Sequence, residues 1–478
     1  MATSFKRKRW REEQRLRVDL NGMTAQLIGD AGLTDADFEN LGPRLVEVHE
    51  ALTKQRRAGT LGFAELPYEK TELRRTLALA DQVRGDFDDL VVLGIGGSAL
   101  GARALYTALK PPGHSTAPAA GGELRLHIAD NIDPRWFGAL LDRVTIKRTL
   151  FNVVSKSGET AETMSQFLIV RDRLLKELGA VEYKRHVVVT TDATGGTLRQ
   201  IVNDEGFRDL TVPAGVGGRF SVLTAVGLFP AACAGVDVAE MLAGAADMDE
   251  RCRRGDLREN PALLHATALY LAGEQKGRRI VVMMPYSEAL SAMADWFCQL
   301  WAESLGKATD LAGARVHTGQ TPVRAVGPTD QHSQLQLYID GPADKVIVFL
   351  RVEEHAGELT VPKSYEDLET VSYLGGNRLG ALVNMEQQGT ELALAKAGRP
   401  TSTIICPQVN AFVVGQLFYL LEMEAAIVGG LLKINAFDQP GVEEGKQLTY
   451  GLAGRPGYEG KRADVQRWVA HKDARYIV

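Results

Sequence analysis

Residues 152–167, with the sequence NVVSKSGETAETMSQF, join an apolar run to a helical pattern through a short polar loop. The apolar run ends at Val154, six small or polar residues follow, and apolar residues then recur at helical spacing. Gly158 lets backbone amides approach a ligand closely. Because open parallel sheets bind ligands outside the carboxyl ends of their strands, we expect a ligand site at this junction.

The loop carries three hydroxyls and one ammonium group, at Ser155, Lys156, Ser157 and Thr160. A helix N-terminus adds unpaired backbone N–H groups and about half a positive charge. Together these groups suit a phosphate dianion. The alternative is that Ser157 or Thr160 merely caps the helix, which would need only one hydroxyl. The helix is expected to bury one face, which carries Met164, Phe167, Leu168, Leu175 and Leu178.

Comparable junctions recur along the chain. One set of apolar runs that precede helical patterns lies between residues 89 and 192, and a second set of apolar runs lies between residues 278 and 407. Strands that alternate with helices predict an α/β fold with two parallel sheets, each covered by helices on both faces. We expect the first 60 residues to be mostly helical and the last 50 to wrap back over the body.

The composition excludes several classes of function. The 478 residues carry a net charge of −5, which argues against general nucleic-acid binding. We identify no apolar stretch of about 18 residues, so no membrane span is expected. The basic segment 1–17 lacks the apolar run of a signal peptide, and a solvated helix is preferred to a targeting segment. Scattered cysteines without metal-ligand spacing indicate a reducing, cytoplasmic compartment; they are Cys233, Cys252, Cys298 and Cys406.

Two glycine-rich segments add candidate binding groups. In GIGGSALG, residues 94–101, Gly97 and Ser98 would hold a sugar hydroxyl or a phosphate, although tight helix–sheet packing explains the glycines equally well. In the segment that begins at residue 215, glycines precede Arg219, whose permanent charge can stabilise a developing oxyanion. A surface ion pair is the alternative for Arg219.

Three more segments leave the role of their polar residues open. Gln299 and Glu303 are spaced i, i+4 on a predicted helix and project from one face, which would also suit a solvated surface. His332 lies between polar residues, before an alternating, strand-like run. The segment around Lys446 is typical of the capped start of a helix.

Taken together, six segments resemble the glucose-6-phosphate isomerase (phosphoglucose isomerase) family, in the order that the family has. They are GIGGSALG, SKSGETAET, GVGGRFSVLTAVG, AESLGK, GPTDQHSQLQLY and FDQPGVEEGKQL. The length is similar to that of the shorter, bacterial-type members, and residues 1–60 contribute little to the match. The resemblance implies a cofactor-free, metal-free aldose–ketose isomerase of glycolysis and gluconeogenesis. Such an enzyme interconverts D-glucose 6-phosphate and D-fructose 6-phosphate through ring opening and a cis-enediol.

The resemblance also implies a domain organisation. A helical N-terminal extension covers residues 1–60, and a first sugar isomerase domain of α/β/α type, with the phosphate loop, covers 61–250. A second sugar isomerase domain covers 251–425, and a C-terminal segment with the active-site lysine covers 426–478. Members are usually homodimers whose active-site histidine comes from the neighbouring subunit, so His332 is expected to act across the interface. No nucleic-acid or membrane partner is implied.

The residue roles follow from the same resemblance. Glu303 matches the general base, His332 the ring-opening group, Arg219 the arginine near the reacting carbons, and Lys446 the C-terminal lysine. The substrate-binding residues implied are Gly97, Ser98, Ser155, Lys156, Ser157, Thr160, Gln299 and Gln439. Ser157 and Gly158 stand where many larger relatives have threonine and an aromatic residue, but the retained hydroxyl still suits a phosphate.

Two alternatives stay open at this point. The first is a bifunctional isomerase that also accepts mannose 6-phosphate, since the same base could serve an epimer at C2. The second is a non-catalytic sugar-phosphate-sensing module of the same fold. A sensing module would keep the polar loop but need no base, so the presence of Glu303, His332 and Lys446 argues against it.

Overall fold

The computed structural model describes residues 4–117 and 121–478. In this part of the chain, two five-stranded sheets and one two-stranded sheet are surrounded by helices. The strands are β1 (Arg17–Asp19), β2 (Asp89–Leu93), β3 (Arg125–Ala129), β4 (Thr149–Val154), β5 (Val187–Asp192), β6 (Arg208–Val212), β7 (Ile280–Pro285), β8 (Lys307–Thr309), β9 (Arg315–Thr318), β10 (Thr321–Arg324), β11 (Lys345–Val352) and β12 (Thr401–Cys406). The α-helices are α1 (Lys8–Glu13), α2 (Ala25–Ile28), α3 (Asp35–Arg57), α4 (Lys70–Val83), α5 (Leu100–Leu109), α6 (Pro134–Arg143), α7 (Ala161–Glu182), α8 (Thr197–Glu205), α9 (Ala225–Cys233), α10 (Val238–Cys252), α11 (Pro261–Glu274), α12 (Ser291–Leu305), α13 (Leu335–Asp340), α14 (Glu369–Ser372), α15 (Leu379–Lys396), α16 (Ala411–Leu431), α17 (Glu443–Leu452) and α18 (Glu459–Ala470).

The first sheet has the strand order β3-β2-β4-β5-β6, and every neighbouring pair is parallel. β2 and β4 are buried along their whole length, as expected for strands that are covered on both faces. The chain order reverses between β2 and β4, and such a switch point is where open α/β sheets bind their ligands. Since Leu93 pairs with Val153, the loops that follow β2 and β4 leave the sheet side by side.

The second sheet has the order β1-β12-β11-β7-β10 and repeats the arrangement of the first in its four parallel strands. The predicted α/β fold with two parallel sheets is thus confirmed. The fifth strand, β1, runs antiparallel to β12, with Arg17 opposite Ile405. The mostly helical N-terminal segment therefore also supplies an edge strand. Its three residues become a strand only because β12 offers an open edge, so their own sequence does not indicate it.

The strand-like run after His332 is helical, which corrects the sequence-based expectation. Residues Leu335–Asp340 form α13. Gln336 donates a side-chain hydrogen bond to Asp340 at 2.7 Å, and the hydroxyl of the buried Tyr338 donates to Gln334 at 2.6 Å. Both pairs have the i, i+4 spacing that brings side chains together only on a helix.

Helix α7 follows the loop of residues 155–160 as expected, but its buried face differs at one position. Phe167 is buried, and Met164, Leu175 and Leu178 pack against the same apolar cluster. Leu168, in contrast, is 58% exposed. A period of 3.6 residues turns positions next to an inward residue away from the core, so Leu168 points to the side of the helix.

Helix α16 corrects the expectation that no apolar stretch is long enough to span a membrane. By length and composition, α16 is long and apolar enough to cross a membrane. However, 94% of its 18-residue apolar window is buried inside the protein. It packs against α10, α11 and α12, and it also buries the carboxyl groups of Glu422 and Glu424. A helix that is apolar on all sides and enclosed by other helices is a core helix.

The expected domain limits at residues 250/251 and 425/426 fall inside α10 and α16, which are continuous helices. The N-terminal helix α3 packs against α16, and the C-terminal helices α17 and α18 pack against each other. The division into an extension, two domains and a C-terminal segment stays a proposal, and its limits are better placed outside these two helices.

Candidate active site

The loop after β4 is organised around the buried hydroxyl of Ser155. Ser155 Oγ accepts a hydrogen bond from the backbone N–H of Gly158 at 3.0 Å and lies 3.2 Å from Thr160 Oγ1. Gly158 has φ +70°, and a Cβ atom there would lie 2.2 Å from the backbone nitrogen of Leu198. Only glycine fits this combination of left-handed backbone and close approach. The sequence SKSGET therefore folds into a compact turn in which the hydroxyls of Ser155 and Thr160 lie close together.

Simple helix capping does not explain the hydroxyls of this loop. Thr160 occupies the N-cap position of α7, yet its side chain accepts no capping hydrogen bond. Ser157 is exposed, and within the described part of the chain its hydroxyl accepts a hydrogen bond only from the N–H of Glu159, at 3.3 Å. Among the described residues, the N–H groups of 161–163 have no acceptor. The loop thus presents hydroxyls and free amides at a helix N-terminus, which is the chemistry of an anion site.

Lys156 connects this loop to the segment that carries Arg219. Its Nζ donates to the backbone oxygen of Val216 at 3.0 Å. Val216 follows β6, at the far edge of the first sheet, so the segment after β6 crosses back over the carboxyl ends of β5 and β4. The crossing brings Arg219 to the switch point.

Gly97 marks the contact between two of the predicted segments. A Cβ atom on Gly97 would lie 2.2 Å from the backbone carbon of Gly218 and 2.6 Å from the nitrogen of Arg219. The backbones of the loop after β2 and of the arginine segment therefore touch. Ser98 lies in the same loop and is partly buried. The glycines serve close packing here, and this packing is between two candidate site loops.

Replacement of Gly97 by alanine is therefore expected to push the arginine segment away and to lower kcat/KM. A misplacement of about 1 Å at a catalytic group can cost on the order of 100-fold. Steady-state kinetics on Gly97→Ala measures the effect. Gly138→Ala is the matched control, because a Cβ there meets no atom within 4 Å. Wild-type kinetics for Gly97→Ala would show that the contact does not matter for the reaction.

Arg219 is 2% exposed and uses every nitrogen of its guanidinium group. Nε donates to Ser304 Oγ at 2.8 Å, and Nη1 donates to Glu303 Oε2 at 3.3 Å. Burial lowers the pKa of Arg219, while the charge of Glu303 acts in the opposite direction. The side chain is thus a buried cation that is held against a carboxylate, and the alternative of a surface ion pair is wrong.

The C-terminal part of the chain completes the arginine site. Arg219 Nη2 donates to the backbone oxygens of Ala436 and Asp438, at 2.6 and 3.0 Å. Nη1 also donates to Gln439 Oε1 at 2.9 Å. Gln439 lies 220 residues away from Arg219 in the chain, so only the fold brings the two together.

Gln299 and Glu303 lie on α12, and their side chains contact each other. Gln299 Nε2 donates to Glu303 Oε1 at 3.1 Å, so each carboxylate oxygen has a donor. The Glu303 side chain is 32% exposed and therefore accessible to a ligand. The oxygen Gln299 Oε1 is buried without a partner among the described residues, and Gln299 Nε2 lies near Gly96. The pair is not a solvated helix face.

Sequence reasoning missed three contributors to this site. Ser304 orients Arg219 through its Nε, and the carbonyl of Val216 holds Lys156. Lys307 is buried, its Nζ donates to the backbone oxygens of Glu303 and Ser304, and burial lowers its pKa. Ser304 and Lys307 both lie in AESLGK, the segment that contains Glu303, but the contact of Ser304 with Arg219 could not be read from that segment.

His332 and Lys446 are not brought to this cluster within the single chain. His332 is exposed at the end of a 3-10 turn, and among the described residues its ring makes no hydrogen bond. Lys446 lies on α17, and its Nζ donates to Glu443 at 2.7 Å on the exposed side of the helix. Their predicted roles stay predictions.

The described residues contain no group of three or more His, Cys, Asp or Glu side chains that could hold a metal ion. The expectation that the reaction needs neither metal nor cofactor stays a prediction. All four cysteines are unpaired, and only Cys298 is not fully buried.

The chain is an α/β protein with two largely parallel sheets, a candidate anion-binding loop at one switch point, and a carboxylate beside a buried arginine. The sequence profile described as phosphoglucose isomerase matches residues 75–465. The chain belongs to the phosphoglucose isomerase family.

Similar proteins span nearly the whole chain. A glucose-6-phosphate isomerase of Carboxydothermus hydrogenoformans is 43% identical over 97% of this chain and 99% of its own length. A glucose-6-phosphate isomerase of Rubrobacter xylanophilus is 46% identical over 90% of this chain and 96% of its own length.

Solved structures of two proteins agree with the fold. A hypothetical protein of Thermus thermophilus superposes with a TM-score of 0.82 and 37% identity, over 92% of this chain and all of its own. A glucose-6-phosphate isomerase of Chlamydia trachomatis superposes with a TM-score of 0.73 and 25% identity, over 84% of this chain and 77% of its own.

Proposed function

We propose that the chain catalyses the reversible isomerisation of D-glucose 6-phosphate and D-fructose 6-phosphate, with Glu303 as the base. The observation that carries the proposal is the ligand-accessible carboxylate of Glu303 beside the buried guanidinium of Arg219. Membership of the phosphoglucose isomerase family supports the reaction. The purified chain is assayed by detecting glucose 6-phosphate formed from fructose 6-phosphate, in the presence of a chelator. A lack of turnover in both directions would contradict the proposal.

Glu303 transfers hydrogen between neighbouring carbons of the open-chain sugar. Its carboxylate takes a proton from C2 of the aldose and returns it to C1, while a proton moves between the two oxygens, and the intermediate is a cis-enediol. A single carboxylate serves both steps because C1 and C2 are adjacent. The hydrogen bond from Gln299 to Glu303 Oε1 holds the carboxylate in place. Positioned bases of this kind contribute about 10²–10⁴ to a rate.

Arg219 stabilises the negative charge that develops on the enediolate oxygens. Its guanidinium is fixed by Ser304, Gln439 and two backbone oxygens, so it needs little reorganisation during the reaction. Burial lowers the dielectric around it and strengthens its interaction with an anion.

The loop of residues 155–160 binds the substrate phosphate. Three hydroxyls, the ammonium of Lys156 and the free amides at the start of α7 supply donors for a dianion. Gly97 and Ser98, in the loop after the neighbouring strand β2, are proposed as further binding groups. Anchorage at the phosphate orients C1 and C2 against Glu303, and such orientation can lower a barrier by about 7–11 kcal/mol.

Ring opening is assigned to His332, which acts from the neighbouring subunit of a homodimer, with assistance from Lys446. A histidine can donate a proton to the ring oxygen near neutral pH, and a lysine can hold the C1 hydroxyl. The exposed position of His332 supports this arrangement, because a group that acts in another subunit must be accessible on its own. We place the homodimer in the cytoplasm, where its four unpaired cysteines stay reduced.

Hybrid dimers test whether His332 acts across the interface. Glu303→Gln and His332→Ala dimers are each nearly inactive, and mixing them creates hybrids in which one site has neither change. After random exchange of equal amounts, about a quarter of the wild-type activity is expected. The control is each of the two variant homodimers, taken by itself through the same subunit-exchange procedure. Hybrids that form, as seen by native mass spectrometry, but stay inactive would place His332 in the same subunit as its Glu303.

Neither the site nor the comparisons favour the bifunctional isomerase or the sensing module. A parallel assay with mannose 6-phosphate separates the bifunctional enzyme from one that is restricted to the glucose and fructose phosphates.

A further inference from the structure

The loop of residues 155–160 carries one carboxylate, Glu159, next to the N-cap residue Thr160. A negative charge at this place repels a phosphate dianion, and nothing in the proposed reaction needs it. The C-terminal segment supplies a cation that pairs with this carboxylate. Both terminal nitrogens of Arg455 donate to Glu159 Oε2, at 3.2 and 3.1 Å.

Arg455 is held in place for this contact by two aromatic rings. Its guanidinium lies 4.6 Å from the centroid of the Tyr450 ring and 5.4 Å from that of Tyr458. The two rings meet edge to face, with 5.3 Å between their centroids. Guanidinium groups stack well on such faces while keeping their N–H groups free for a carboxylate. Tyr450 also donates its hydroxyl to the backbone oxygen of Glu159, at 3.4 Å.

The segment that carries Arg455 is braced at two points. The backbone N–H of Arg455 donates to the oxygen of Tyr450 at 2.9 Å, and Lys461 on α18 contacts both carboxylate oxygens of Glu444 on α17, at 2.7 and 2.6 Å. The arginine therefore approaches Glu159 from a formed helical hairpin. Single exposed ion pairs contribute little to stability, so an effect on substrate binding is the informative readout.

We infer that Arg455 is a positioning residue for the substrate: it neutralises Glu159 and holds this carboxylate against the C-terminal hairpin, so that the loop presents the charge of Lys156 to the phosphate. The inference rests on the proposed phosphate-binding role of the loop. It assigns a binding function to a residue that lies outside all six of the recognised segments.

Arg455→Met is expected to raise KM for fructose 6-phosphate about tenfold, because a unit charge a few ångströms from a dianion in water has an effect of this order. The inhibition constant of inorganic phosphate rises in parallel, and kcat stays within about twofold, since the reacting carbons are remote from the loop. Glu159→Gln alone leaves KM at or below the wild-type value. The double variant Glu159→Gln/Arg455→Met returns KM to within about twofold of wild type, because the repelling charge is gone.

Rescue by the second substitution separates a charge effect from structural damage. If Arg455→Met weakened substrate binding only because the hairpin had lost its contact with the loop, the additional change of Glu159 would not lower KM again. Arg475→Met is the matched control, because it removes an exposed pair with Asp473 in the same C-terminal segment and is expected to leave KM unchanged.

Wild-type values of KM and of the phosphate inhibition constant for Arg455→Met would overturn the inference. A double variant whose KM is as high as that of Arg455→Met would also overturn it. Lys156→Met tests the loop itself. If Lys156→Met is active and its inhibition constant for phosphate is also unchanged, the phosphate site lies elsewhere. In that case the proposed phosphate-binding role of residues 155–160 is wrong, rather than the role of Arg455 alone.

Discussion

Glu303→Gln is expected to lower the isomerisation rate about 10²–10⁴-fold, the contribution typical of a positioned general base. The amide is nearly isosteric with the carboxylate but cannot take a proton from carbon. The oxygen of the new amide can keep the contact with Arg219. The oxygen of Gln299 has no partner among the described residues, so the Gln299 side chain can turn and accept a hydrogen bond from the new amide nitrogen. Binding of the sugar phosphate should therefore be nearly unchanged.

Two measurements check this expectation. Exchange of the C2 hydrogen of glucose 6-phosphate with solvent deuterium, followed by NMR, should cease, whereas the inhibition constant of a non-reacting sugar phosphate should stay within about twofold of wild type. Glu274→Gln is the control, because Glu274 pairs with Arg279 on the surface of α11. Continued C2 exchange in Glu303→Gln would remove Glu303 from the role of base.

Arg219→Lys should have the second large effect, on activity and on stability together. An ammonium group cannot reproduce the fork of donors, so several acceptors among Ser304, Ala436, Asp438 and Gln439 lose their partner. The charge of the new ammonium group would also be displaced from the position that the guanidinium holds, and a misplacement of about 1 Å at a catalytic group can cost on the order of 100-fold in kcat/KM. Each buried acceptor left unpaired costs about 1–3 kcal/mol of the free energy of unfolding.

Kinetics and urea unfolding measure the two effects. Ser304→Ala separates them, because it removes the acceptor of Nε but leaves the other donors of Arg219 in place, so it should lose stability with a smaller loss of activity. Arg258→Lys, at a fully solvated pair with Asp35, is the control for the substitution itself. Wild-type kcat/KM in Arg219→Lys would contradict the proposed stabilisation of the enediolate.

The strands and helices around the two switch points could be predicted because their signals are local. β2 and β4 are largely apolar runs, and α7 has the helical period of apolar residues. Prediction failed where a segment is short or ambiguous. Arg17–Asp19 becomes a strand only beside β12, and the alternating run at Leu335–Asp340 becomes a helix through i, i+4 contacts.

The candidate site was predictable in its residue types and only partly in its geometry. Each segment showed its own chemistry: hydroxyls and an ammonium at 155–160, a guanidinium at Arg219, a carboxylate at Glu303. Taken singly, Arg219 and Glu303 suited a solvated surface as well as a site. Burial of Arg219 and its hydrogen bond to Glu303, 84 residues along the chain, exclude the solvated surface.

The sequence by itself determined the α/β class, the residue types of the loop after β4 and the family, because each of these depends on short contiguous segments. Only the tertiary structure decided which segments meet: the crossing of the arginine segment over the first sheet, the contact of Gly97 with Gly218, the reach of Gln439 to Arg219, and the pairing of Arg455 with Glu159. The reason is physical. Local patterns depend on neighbours in the chain, whereas the charge and burial of a site depend on groups that the folded backbone brings from hundreds of residues away.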